Sequence, residues 1–195
     1  MNKKVIGIIL VTVLVLSCLT ACGTVEEMLG EANNTTSATK ETGVLQFYEA
    51  IQDNDGVPFT LTEKAKLTLS ENEEIFLENK NDGLAQLADT ELTYKILTKN
   101  IDKHGDKLIY FPEAYVLSID ETELDGGTTF SELHLLDVDG NSFYLLSLSA
   151  YEDIYEEDII SVYALPIGET SFKNVSGGTT LAIMLAGCYV EELAQ

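Results

Sequence analysis

Past the polar turn Lys103-His104-Gly105-Asp106, the apolar residues of this 195-residue chain stop recurring at helical spacing and begin to read as strands. Five such stretches follow: Lys107 to Ile119, Phe130 to Asp137, Ser142 to Leu148, Asp158 to Leu165 and Thr180 to Val190. Pro112 lies near the middle of the first, which argues for a bend or bulge there. Asp139-Gly140 joins the second and third as a tight hairpin turn. Pro166 to Gly178, containing Ser176-Gly177-Gly178, is expected to be a long loop before the last strand.

Upstream the pattern is helical. Val44, Phe47, Tyr48 and Ile51 fall at i, i+3, i+4 and i+7, and Asp53-Asn54-Asp55-Gly56 ends the run as a turn. That acidic cluster is not a calcium loop, because the glycine of such a loop would put Ile51 where a carboxylate is required. Thr62 can cap a helix over Glu63 to Leu69. Ser70 with Glu73 is expected to form a capping box for another, Glu71 to Glu78, with Ile75 and Phe76 facing inward. Thr93 to Asn100 is a further short helix with Tyr94, Ile96 and Leu97 apolar. None carries a histidine or carboxylate set with metal-ligand spacing, so these read as small helices packing on a sheet.

The order of the strands, with a long bent first one, a tight hairpin and an extended loop before the last, resembles an OB-fold barrel. Tyr94 to Asn100, then Ile101 to Lys107, then a strand, is similar to the helix-turn-strand opening of OB-like domains in Gram-positive envelope proteins. The likeness runs from about Thr93 to Glu192. It implies an α+β fold in which short N-terminal helices lead into a five-stranded, OB-like antiparallel β-barrel. One departure stands out: Ser149 to Glu157 is too short for the helix many OB-folds place between strands three and four, so helices before the barrel would close its end instead.

Charge restricts the partners. The sequence holds 33 acidic residues against 11 lysines, with no arginine, for a formal net charge of −22. A nucleic-acid binder needs cations to displace counterions from phosphates, and usually arginine to read base edges. Nucleic acid is therefore excluded as a partner, and so is the arginine-assisted phosphoryl chemistry that the nuclease members of the OB superfamily resemble one another in using. The acidity reads first as colloidal solubility, with attraction of cations or cationic peptides as the alternative.

The N-terminus points outside the cytoplasm. Met1-Asn2-Lys3-Lys4 is a short positive segment, and Val5 to Leu16 is an uninterrupted run of apolar or small residues with the length of a signal core. Leu19-Thr20-Ala21-Cys22 resembles the lipobox of bacterial lipoproteins, which implies cleavage after Ala21 and a lipid on Cys22. An uncleaved membrane helix over Val5 to Ala21 would sit at the lower edge of the length that spans about 30 Å of hydrocarbon. The expected organisation is a signal peptide over 1–21, a flexible tether over 22–43, a helical region over 44–100 and the barrel over 101–192. A flexible tether of that length would reach about 25 Å. The expected location is the extracytoplasmic face of a cell membrane, in a Gram-positive envelope. With Cys18 in the leader and Cys22 acylated, Cys188 is left without a partner for a disulfide, so the core must hold the fold.

Candidate site residues come from the OB likeness. Ligands of OB-folds commonly lie on the face of strands two and three, which would present His134 and Tyr144, flanked by Tyr151, Tyr155 and Phe172. These side chains could stack on a sugar or peptide; alternatively they fill the barrel or its helical cover. No catalytic residue, metal ligand or cofactor is assigned. Neither His104 nor His134 lies near a recognisable nucleophile motif, and the abundance of carboxylates makes any acidic pair uninformative. Asp153 to Asp158 reads as a solvated turn. The expected function is non-enzymatic binding of a peptide, glycan or protein partner. The alternatives are an accessory or structural subunit of a surface complex, and a carboxylate-dependent hydrolase.

Overall fold

A computed structural model describes residues 43–52, 57–174 and 176–193, all within the compact unit Lys40–Gln195. The expected signal peptide, Cys22, the expected tether up to residue 42 and the expected turn Asp53 to Gly56 lie outside the described residues. Four short helices come first: α1 (Val44–Ile51), α2 (Glu63–Glu71), α3 (Leu84–Leu87) and α4 (Tyr94–Lys99). Five strands follow: β1 (Ile109–Glu123), β2 (Thr129–Leu136), β3 (Ser142–Ser147), β4 (Ile159–Lys173) and β5 (Thr179–Glu192). The architecture is α+β, with a mixed sheet.

Local chemistry sets most boundaries. Thr62 caps α2 by accepting the Ala65 N–H at 3.2 Å, and Thr93 caps α4 by accepting that of Ile96 at 3.4 Å. The expected capping box at Ser70 does not form. Ser70 lies inside α2 and its hydroxyl donates to the Leu67 carbonyl, while Asn72 closes the helix by donating to the Thr68 carbonyl through both backbone and side chain. Only a single 3₁₀ turn, Glu73–Phe76, follows where a helix to Glu78 is expected.

Each strand pairs with two others, so the sheet closes in the order β1-β2-β3-β5-β4. The expectation of an antiparallel barrel is corrected at one seam. β3 and β5 run parallel, from Ser142↔Ala182 to Leu146↔Ala186, and the other four pairs are antiparallel. The reason is arithmetic: directions cannot alternate all the way round a ring with an odd number of strands.

The expected loop Pro166 to Gly178 is also corrected. β4 continues through it to Lys173, paired with β5 as far as Lys173↔Thr179. Pro166 is accommodated by a register shift between Pro166 and Gly168. A Cβ at Gly168 would lie 2.5 Å from the Thr60 carbonyl oxygen. The missing side chain lets the segment before α2 run against β4, where the Thr62 N–H donates to the Ile167 carbonyl.

Apolar residues form two layers. Inside the barrel lie Val116, Leu133, Phe143, Leu145, Ile160 and Leu185, among others. Outside, α1, α2, the 3₁₀ turn and α3 bring Tyr48, Ala65, Leu69, Phe76 and Leu84 against Leu146, Leu165, Met184 and Ala186. Stretches of β4 and β5 are therefore buried on both faces, which explains their unbroken apolar runs. Tyr48 anchors α1 through a buried hydroxyl that donates to the Leu146 carbonyl at 2.8 Å. At one end of the barrel α4 adds Leu97 to the interior, and Tyr94 donates to the Leu181 carbonyl while meeting Phe143 edge-on. At the other end the link from β3 to β4 inserts Tyr151 and Ile154 in place of a helix.

Two predictions follow from these contacts. Tyr48→Phe leaves the packing but removes the buried donor, and should lower the unfolding free energy in urea by about 1–2 kcal/mol. An unchanged midpoint would show that the Leu146 carbonyl does not need this bond. Glu157 holds φ at 75° in the turn leading to β4, where a side chain is disfavoured. Glu157→Gly should therefore raise the thermal midpoint by relieving about 1 kcal/mol of strain.

Candidate functional site

The antiparallel register of β2 and β3 sets His134 opposite Tyr144. Directly opposed positions on one sheet face put side chains within reach of each other. Their rings stack at 4.5 Å between centroids and 15° between planes. Ser142 lies two residues before Tyr144 and so shares its face. Its hydroxyl is 2.6 Å from His134 Nε2. That bond fixes the imidazole against the tyrosine.

The third ring arrives from β4. On β5, between β3 and β4, Ala182 stands beside both Ser142 and Thr170, and Thr180 beside Phe172. Those small residues let Phe172 lean toward β3, where it meets His134 at 5.5 Å and Tyr144 at 5.7 Å, nearly perpendicular to both. The three rings are half-buried and make one aromatic platform on the outer face of the barrel. Along β2, Phe130 extends the aromatic surface to Phe47 on α1 at 5.3 Å.

Burial sets the electrostatics here. It pushes the His134 pKa below its ordinary value, so the ring is neutral near pH 7. It also pushes Tyr144 up, helped by the nearby Glu132 carboxylate. Glu132, between Phe130 and His134 on β2, is raised by burial and by Asp120 opposite it on β1. The platform is thus largely uncharged, with one carboxylate of weakened acidity at its side. Such a surface favours stacking and hydrogen bonding over ion pairing.

Of the five expected residues, His134, Tyr144 and Phe172 come together. Tyr151 does not: it points into the barrel beyond the end of β3, 6% exposed, and its hydroxyl donates to Ser147 Oγ at 2.7 Å. Tyr155 lies in the same link but is 63% exposed, away from the platform, its hydroxyl donating to the Glu152 carbonyl. Two residues were missed. Ser142 was detectable by strand alternation alone, whereas Glu132 required the register with β1.

Elsewhere the polar features are structural. Asp137 Oδ1 accepts the N–H groups of Asp139 and Asn141 and so builds the hairpin turn. Asn174 Oδ1 does the same for Ser176 and Gly178. In the acidic link, Asp158 accepts the Tyr155 N–H at 2.7 Å. The Cys188 thiol is buried and burial pushes its pKa far up, so it is no nucleophile. Among the described residues no group of three or more His, Cys, Asp or Glu side chains could hold a metal ion, and no helix is long and apolar enough to cross a membrane. No protein-family model, curated protein or solved structure matches this chain.

The depressed His134 pKa carries a pH signature. Below about pH 6.5 an unfolded chain takes up a proton that the folded ring resists, so acid removes stability until the folded pKa is reached. Glu132, raised in the fold, acts in the opposite sense. Comparison with His134→Gln isolates the histidine. Between pH 7.5 and about pH 5.5 the wild type should lose more thermal stability than the variant. Equal losses in the two proteins would contradict a buried, neutral His134.

Proposed function

We propose that this chain is an extracytoplasmic lipoprotein, held to a cell membrane through Cys22, whose barrel binds a peptide, glycan or protein partner on the His134–Tyr144–Phe172 platform. The observation that carries the binding role is the convergence of three half-buried rings from β2, β3 and β4 on one outer face. Aromatic faces stack on sugar rings and apolar side chains without needing charge. The strand order and the parallel β3–β5 seam support an OB-like barrel, a fold that uses its strand 2–3 face for ligands. Oligonucleotides, one ligand class of that face, are disfavoured by the net charge of −22. Support for the anchor comes from the lipobox-like Leu19-Thr20-Ala21-Cys22 behind a positive and then apolar leader.

Both halves of the reading are testable in living cells of a Gram-positive host. Cys22→Ser should abolish incorporation of labelled fatty acid and release the protein from the membrane fraction; persistent labelling would overturn the anchor. A photo-crosslinking residue at position 172 should give a discrete adduct, and Tyr144→Ala should remove it while the protein still accumulates. An adduct that survives Tyr144→Ala would mean the platform is not the binding surface.

A further inference from the structure

The lysines of this acidic chain are not spread evenly. Lys95 and Lys99 lie one helical turn apart on α4, and Lys103 and His104 follow it. These four, with Ile96 and Asn100, line a single cleft of about 650 Å³ at the barrel end. Lys64, Lys66 and Lys80 are each engaged with a carboxylate. Of the five described lysines that form no ion pair among the described residues, Lys95, Lys99 and Lys103 line this cleft, and Lys107 and Lys173 lie outside its lining. The backbone of the cleft wall is fixed from α2. Lys64 Nζ donates to the Lys103 carbonyl at 2.9 Å, and the Thr68 hydroxyl donates to the Gly105 carbonyl at 2.9 Å.

Helix electrostatics explain only part of this arrangement. A cation is favoured near a helix C-terminus, which covers Lys99 and Lys103, but Lys95 occupies the first turn of α4, where a positive charge is disfavoured. Nor do local acids neutralise the cleft. Asp102, between Ile101 and Lys103, turns to a neighbouring cleft that it shares with Glu169, whose pKa is raised first by burial and then by the Asp102 charge. Cations and anions are thus sorted to the two sides of one short turn. Beyond a screening length of about 8 Å the rest of the acidic surface acts weakly on a bound ion.

We propose that this cleft binds a phosphate group carried on a small polar or lipid moiety. Three lysine ammonium groups on flexible stems match a compact anion of charge between −1 and −2, and lysine holds phosphate as a point charge without the forked geometry of arginine. Ile96, 37% exposed, and the methylene stems of the lysines give the carbon part of the ligand a surface to lie on. Glycerol phosphate esters and anionic phospholipid headgroups both present this chemistry. The site is separate from the aromatic platform and does not depend on it.

The test is a titration of the ¹⁵N-labelled full chain, in an uncharged detergent at low salt, with two probes. One is glycerol 3-phosphate; the other is a short-chain phosphatidylglycerol below its micelle concentration. Saturable amide shifts centred on Lys95 to His104, weakening several-fold in physiological salt and abolished by Lys95→Gln/Lys99→Gln/Lys103→Gln, are expected. Shifts with both probes support recognition of the phosphate itself. Shifts with the lipid alone, or with the monoester alone, support the site and identify its source. All three lysines are exposed, so the triple variant should fold; if it does not, Lys95→Gln alone should weaken binding severalfold. The proposal is overturned if neither probe saturates, if shifts persist in the variant, or if sodium acetate at equal ionic strength reproduces them.

Discussion

Closure of the sheet on itself is the constraint from which the other features of the molecule follow. Five strands cannot alternate in direction around a ring, so one seam has to be parallel, and here it joins β3 to β5. A parallel neighbour cannot be reached by a hairpin. The chain therefore leaves β3, inserts Tyr151 and Ile154 under one end of the barrel, and runs up the long β4 before returning as β5. β4 and β5 hydrogen-bond along almost their whole length, and β4 also closes the ring against β1.

Two-sided burial is the price of that arrangement. The inner face of the barrel is packed by its own side chains, and the outer face of β3, β4 and β5 has to be covered separately. The short helices before the barrel supply the cover and hold it with a few long-range bonds, among them the buried one from Tyr48 to the Leu146 carbonyl. Where the cover ends, the outer face of β2 and β3 emerges. The aromatic platform sits at that margin, which is why its rings are half-buried and why the imidazole of His134 resists protonation.

Features governed by near neighbours in sequence were legible. The caps at Thr62 and Thr93, the Asp139-Gly140 turn and the shared strand face of His134 and Tyr144 each depend on a few adjacent residues. Features governed by distant contacts were not. Pro166 and Gly168 look like loop residues, yet both are strand residues flanking a bulge, and Thr60 passes beside Gly168. Ser70 looks like a helix start because its neighbours fit a capping box, but Asn72 ends the preceding helix better. Tyr151 looks like an aromatic flank of the ligand face, yet the barrel needed a plug where no helix was available, and a large ring with a polar tip could fill it beside Ser147.

The 3₁₀ turn is followed by Asn79, whose side-chain amide donates to the Val190 carbonyl at 2.9 Å and accepts the Val190 N–H at 2.7 Å. β3 stops pairing with β5 at Ala186, so the last stretch of β5 would otherwise present bare peptide groups on that side. A primary amide has the same donor and acceptor as a peptide bond and occupies both groups of Val190 at once. A stray strand from another molecule approaching this edge meets a position already filled. One asparagine side chain thereby makes the end of a long, apolar strand unreceptive to polymerisation.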